Sequence, residues 1–308
     1  VSEGLRTAPI VAAQESALSA WATLSKARIT AMVGFAAFVG GMLAAGVNAD
    51  VARVAESALW IALVSASSCM FNQLLERDVD ARMERTQRRP LVTGRVRARD
   101  VVLVAAVLAL VGVLALALRF NTLSALLALA TLAAYALVYT PLKRLSTLNT
   151  AVGAIPGAMP PLIGFVAAAG APHGWAWYLF AVLFMWQFPH FLSIAWLYRH
   201  DYARAGLKML PAVQGSEGIA GRQALLYSLA LVPLSLLPVL RGDAGPVYAT
   251  AALVLGGGYC AAALGFALRE NAVRARILLY ASLAYLPALY SITLMDPLVR
   301  SLGAQLTP

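Results

Sequence analysis

ESALWIALVSASSCMFNQLLERDVDARMERTQRRPL, residues 56–91, decides the fold class. Residues 56–75 form an apolar run with a single charge, Glu56, and about 20 such residues span the hydrocarbon core of a bilayer as a helix. From Glu76 onward the stretch is crowded with acids and arginines until Pro90 ends any helix. A membrane helix therefore runs into a charged connection.

The same pattern recurs along the chain. Apolar runs of spanning length lie near 29–47, 56–75, 100–118, 122–140, 148–170, 174–197, 221–241, 246–268 and 277–295. Hydrophobic residues make up 61% of the chain and charged ones 12%, against roughly 25% charged in a soluble domain, so lipid is the solvent. The expectation is an all-α, polytopic membrane protein of about nine helices bundled around a central cavity open to the membrane. Its parts are a cytoplasmic N-terminal tail over 1–28, one transmembrane domain over 29–295 and a short external tail over 296–308. Most polar material lies in the connections 76–99 and 198–220, where function is sought first.

The charge of +10 is distributed by side. With the N-terminus inside, 20 of the 24 Lys and Arg fall in inside segments and only Arg53, Arg119, Arg241 and Arg300 fall outside. The positive-inside rule then puts both long connections in the cytoplasm and the C-terminus in the periplasm. The basic excess reads as a topology signal with anionic lipid as a secondary partner, and nucleic acid is not an expected partner. Cys69 and Cys260 both lie in apolar runs, which indicates packing and neither a disulfide framework nor a metal site. The first 28 residues carry Glu3 and Glu15 without a secretory pattern. They are also poor in the Arg and Ser of a mitochondrial presequence, which favours a bacterial inner membrane.

Asn72, Glu76 and Asp80 are spaced i, i+4, i+8 and share a helix face within roughly 80°, whereas Asp78 points away. Ionisable groups at the edge of hydrocarbon are a functional signal by default; the alternative is a helix leaving the membrane with its charges solvated. Two carboxylates and an amide suit Mg²⁺, which keeps waters and shares phosphate oxygens. Arg85, Arg88 and Arg89 follow, and guanidinium forks grip phosphate.

Tyr135, Tyr139 and Lys143 repeat the i, i+4, i+8 spacing at the end of the fourth run. Lys143 either snorkels to headgroups or leans inward toward the diphosphate. Gly153, Pro156, Gly157, Pro160, Pro161 and Gly164 punctuate the fifth run, implying close backbone approach or a break. In the sixth, WQFPHF (186–191) interrupts an apolar run with His190, either a nitrogen ligand deep in a cavity or a structural histidine bonded to a carbonyl. On a continuous helix Asp201 lies about 20° from His190 and roughly 16 Å nearer the cytoplasm. Asp201, Lys208 and Pro211 echo the first connection, offering a second cation ligand and a further phosphate contact.

Together these stretches resemble the UbiA-type intramembrane prenyltransferases, and within them the heme-directed branch. The resemblance rests on Asn72, Glu76 and Asp80, on MxRTxxRPL over 83–91, on YTPLKR over 139–144 with the GAxPPxxG that follows, and on WQxPHF with DYxxAGxxMLP over 201–211. It runs from about residue 20 to 295. His200 stands where the family usually has a second acid, so the number of Mg²⁺ ions, one or two, is left open.

The resemblance implies farnesyl transfer from farnesyl diphosphate to the 2-vinyl group of heme b. Asn72, Glu76, Asp80 and Asp201 would be the metal ligands, with Arg85, Arg88, Arg89, Lys143 and Lys208 on the diphosphate and Tyr139, with Tyr135, facing an allylic cation. His190 would meet heme iron, ahead of His173 and His200. Heme b is then a substrate, and a heme A synthase or terminal oxidase would receive the product. Other readings are a quinone or chlorophyll-precursor prenyltransferase, a scaffold for oxidase assembly, and a transporter, since polar groups in broken spans also mark transport folds. Against the last, the charges gather at one membrane face rather than the midplane.

Overall fold

The computed structural model describes residues 16–215 and 217–306, with side chains through Asp296. Residues 1–15 of the expected N-terminal tail, with Glu3 and Glu15, and the side chains of the expected C-terminal tail beyond Asp296 lie outside the described residues.

The described residues are all-α, and nine helical segments among them are long and apolar enough to cross a membrane. A short helix, α1 (Ala17–Leu24), precedes α2 (Ala27–Ala45) and α3 (Val51–Leu75). After the one-turn α4 (Arg77–Asp80) come α5 (Ala98–Arg119) and α6 (Thr122–Ala133). A π-helical turn over Ala134–Tyr139 joins α6 to α7 (Thr140–Leu145), and the three act as one span. Next are α8 (Asn149–Ala169), α9 (Trp175–Leu197) and a short α10 (Arg199–Arg204). Then follow α11 (Ile219–Leu240), α12 (Pro246–Leu268) and α13 (Ala272–Leu306).

Local signals explain the starts. Asp50 and Asn121 accept the backbone N–H groups of Arg53 and Ser124, capping α3 and α6, and Pro246 occupies the first turn of α12, where its missing N–H costs nothing. The apolar faces of α5 and α6 stay largely exposed, as expected where hydrocarbon replaces a protein partner.

In the first half α2 packs on α3 and α8, and α3 on α5; in the second α9 packs on α11 and α13, and α11 on α12, with α8 against α9 joining the halves. Because spans alternate in direction, the connections 76–97, 146–148, 198–218 and 269–271 share one end. Val79 and Met83 from the first connection bury against Ala195, Tyr202, Ala205, Leu207 and Met209 of the other half, which holds the long connections together over that end.

The glycines and prolines of α8 do not break it. A Cβ at Gly40 would lie 1.9 Å from the Pro161 carbonyl oxygen, and one at Gly164 would lie 1.9 Å from that of Ala37. Small residues here let two backbones touch, which is how helices associate where lipid removes the hydrophobic drive. Gly164→Ala forces α2 and α8 apart, and overpacking of this kind costs about 1–3 kcal/mol. A lowered midpoint of thermal unfolding in detergent is the expected result; an unchanged midpoint contradicts the contact.

Candidate functional site

The site forms where α3 leaves the bundle. The α3 helix ends at Leu75 and Glu76 departs from helical geometry, yet Glu76 N–H still reaches the Asn72 carbonyl at 3.0 Å and Asp80 N–H the Glu76 carbonyl at 2.8 Å. The i, i+4, i+8 register therefore survives the break. Asn72, Glu76 and Asp80 line one pocket and are 1%, 7% and 1% exposed, which removes the solvated-charge alternative. Asp78 is exposed.

Each acidic or amide group meets a cation. Lys143 Nζ lies 2.8 Å from Glu76 Oε1, Arg89 pairs with Asp80 Oδ2, and Lys26 Nζ donates to Asn72 Oδ1 at 3.2 Å. Lys143 thus leans inward, its ammonium 4.5 Å from the Tyr139 ring centroid. Burial alone would push the Glu76 carboxyl up, but Lys143, Lys26 and Asn72 together outweigh it and hold it below the ordinary range. At Asp80 burial prevails over Arg89 and raises the carboxyl. The physical reason is on the other oxygen: Oδ1 is buried and accepts no hydrogen bond, so desolvation there is uncompensated.

The π turn sets the opposite wall. It inserts an extra residue before Thr140, whose hydroxyl donates to the Tyr135 carbonyl and accepts from Asn72 Nδ2 at 3.1 Å. Such turns recur at functional sites because they re-aim the side chains after them. Tyr139 and Lys143 line the pocket, whereas Tyr135 packs tilted against Tyr139 with ring centroids 5.2 Å apart. Gly153 makes the room: a Cβ there would fall 2.4 Å from the Tyr139 ring.

The three arginines separate. Arg89 and Arg85 line the pocket, and Arg85 also stacks over Tyr198 and donates to the Tyr202 hydroxyl. Arg88 is exposed and outside the pocket. Thr86 decides this, because its hydroxyl and backbone N–H lock the loop onto Asp80 and Met83.

From the second connection, Asp201 accepts from the Arg85 backbone N–H at 3.4 Å and neighbours Arg204, but it does not line the pocket. The helix from His190 to Asp201 is interrupted: α9 stops at Leu197 and α10 starts at Arg199, with Tyr198 outside helical geometry between them. Lys208 is tied by its backbone, its N–H to the Lys143 carbonyl and its carbonyl to Asn149, and its side chain is exposed. His190 faces α13, with Nδ1 2.7 Å from Ser282 Oγ. His173 packs edge-on against Phe165 at the opposite end, and His200 borders a separate surface pocket.

Lys26 is the pocket residue that motif spacing does not single out. It precedes α2 in a left-handed conformation at φ 49°, a strain of about 1–3 kcal/mol for a residue with a side chain. Burial and the nearby Lys143 and Arg89 lower the pKa of its ammonium. Its only sequence signal is a lone lysine at the head of the first span.

Residues 33–287 match the model of the UbiA prenyltransferase family. The chain is similar to a protoheme IX farnesyltransferase from Solibacter usitatus (strain Ellin6076), 45% identical over 249 residues that cover 81% of this chain and 85% of that protein. Its fold is similar to that of a digeranylgeranylglyceryl phosphate synthase, with TM-score 0.73 and 15% identity over 91% of this chain and 98% of that one. It is also similar to a UbiA homologue from Archaeoglobus fulgidus bound to DMAPP and Mg²⁺, with TM-score 0.59 and 20% identity over 88% of this chain and 99% of the other.

Proposed function

Because the chain belongs to the UbiA prenyltransferase family, we propose that it transfers the farnesyl group of farnesyl diphosphate to the 2-vinyl group of heme b, with addition of water, giving heme O and diphosphate. The observation that carries this reading is the gathering of Asn72, Glu76 and Asp80 with Lys26, Arg85, Arg89, Tyr139 and Lys143 in one pocket. Oxygen donors and cations in that proportion suit a metal-bound diphosphate. The likeness to a protoheme IX farnesyltransferase supports the choice of acceptor.

The donor set fits Mg²⁺. Asp80 Oδ1 is a buried oxygen without a partner, and Asn72 and Glu76 add hard oxygens beside it. Asn72, Glu76 and Asp80 would hold the ion, and diphosphate oxygens and water would supply the remaining ligands, as is usual for Mg²⁺. An ion held by these residues would neutralise charge that grows on the departing diphosphate.

Lys26, Lys143, Arg85 and Arg89 bind the same phosphate oxygens and stabilise them as the carbon–oxygen bond breaks and its electron pair leaves with diphosphate. The Tyr139 ring presents a negative face to the resulting allylic cation. The vinyl carbon closes the new bond, and water adds to the cation left on the porphyrin side, releasing one proton. Asp201 fixes the Arg85 backbone from outside this set. His190 holds the heme iron, and heme is substrate rather than resident cofactor. The basic end of the bundle faces the cytoplasm of a bacterial inner membrane, and a heme A synthase or terminal oxidase takes the product.

Purified protein given heme b, farnesyl diphosphate and Mg²⁺ should yield, by mass spectrometry, a heme carrying one farnesyl group and one added water. Conversion of a quinone precursor but not of heme b would overturn the acceptor.

A further inference from the structure

His190 is held by α13 rather than by the pocket. Its ring stacks on Trp186, centroids 4.8 Å apart, and Nδ1 lies 2.7 Å from Ser282 Oγ. Ser282 is fully buried, and its hydroxyl is 2.5 Å from the Leu279 carbonyl. A carbonyl only accepts, and a serine hydroxyl has one proton to give. With that proton on the Leu279 side, the Ser282 oxygen is an acceptor and His190 Nδ1 carries the hydrogen between them. The lone pair of the neutral imidazole is then on Nε2, which takes no hydrogen bond among the described residues; the ring is half-buried.

The surroundings hold this geometry. Trp186 Nε1 donates to the Ser282 carbonyl at 2.9 Å, and the Tyr259 hydroxyl donates to the Trp186 carbonyl at 3.1 Å. The residue stacked on His190 is thereby fastened to α13 and α12. A structural histidine would need only one satisfied nitrogen, but a ring stacked, hydrogen-bonded on one nitrogen and open on the other is arranged as a ligand-binding imidazole is.

We propose that Ser282 is a positioning residue for the metalloporphyrin acceptor: by accepting the hydrogen bond of the His190 Nδ1–H it fixes the tautomer and aim of the ring, so that Nε2 meets the iron. The inference rests on the reading of heme b as acceptor and His190 as its ligand. Metal-bound imidazoles donate their second N–H in this way, and loss of that partner weakens metal binding about 10–100-fold.

The test titrates heme into the full-length protein in detergent, following the Soret band and, for the ferrous state, the iron–histidine stretch in resonance Raman spectra. Ser282→Ala should bind heme about 10–100-fold more weakly and lower the stretching frequency, because an imidazole without an acceptor on Nδ1 is a poorer donor to iron. Ser282→Cys, close in shape with a weaker acceptor, should fall between Ala and wild type, and it decides the matter if the alanine variant does not fold. His190→Ala should lose the histidine-ligated spectrum. If His190→Ala loses it while both Ser282 variants match wild type in affinity and frequency, Ser282 has no such role and the His190 reading stands. If His190→Ala keeps the wild-type spectrum, the ligand assignment falls, and the role of Ser282 with it.

Discussion

Asp80→Asn is expected to abolish most turnover while leaving the fold intact. Asparagine keeps the shape and one oxygen for Arg89, but it removes the negative charge and can place an N–H where Asp80 Oδ1 stands buried without a partner. Removing one preorganised group that stabilises transition-state charge lowers kcat on the order of 10²–10³-fold, about 3–4 kcal/mol in the barrier. Stability should stay near level, because relief of the desolvated carboxylate is offset by leaving Arg89 without its anion. Burial raises the Asp80 carboxyl above its ordinary range, so the folded protein disfavours the ionised form, and a neutral amide relieves that cost. A variant that melts like wild type but fails to make product separates a catalytic acid from a structural one. Retained turnover would remove the carboxylate from the reaction.

Lys143→Met should act on stability as strongly as on catalysis. The Lys143 and Glu76 side chains are 13% and 9% exposed and their charged atoms are 2.8 Å apart. Removing one partner of a buried pair leaves an uncompensated charge, a loss of about 3–5 kcal/mol. Lys26 also attracts Glu76 and places the expected loss toward the lower figure. The double variant Lys143→Met/Glu76→Gln should recover most of it, since an apolar residue beside a neutral amide carries no stranded charge. Thermal unfolding in detergent reads both changes. Equal midpoints for wild type and Lys143→Met would mean that the pair contributes nothing.

These expectations draw on a site that was partly legible in sequence. The spans were legible because hydrocarbon imposes length and composition on every helix that crosses it. Asn72, Glu76 and Asp80 were legible because their spacing needs only local hydrogen bonds, which persist through the break at Glu76. Lys143 was not resolved between headgroups and diphosphate, since its direction depends on the π turn over Ala134–Tyr139, and no periodicity reveals an extra residue in a turn. Arg88 and Arg89 are neighbours in an irregular loop, and only the bonds of Thr86 decide which one faces Asp80. Lys26 carried no pattern at all; its place is a tertiary fact, 46 residues from Asn72 in the chain.

The glycines show the same division. Gly164 signals close approach by composition, but its partner, Ala37, follows only from how α2 crosses α8. His190 and Asp201 share a face only on an ideal continuous helix, and the helix is interrupted at Tyr198.

Turnover of heme b and farnesyl diphosphate by metal-stripped protein, followed by mass spectrometry as Mg²⁺ is titrated back, bears most directly on the oxygen cluster at Asn72, Glu76 and Asp80. Product should be absent after chelation and return with added Mg²⁺, and Asp80→Asn should show little recovery at any concentration. Undiminished product in the presence of excess EDTA would contradict the assignment.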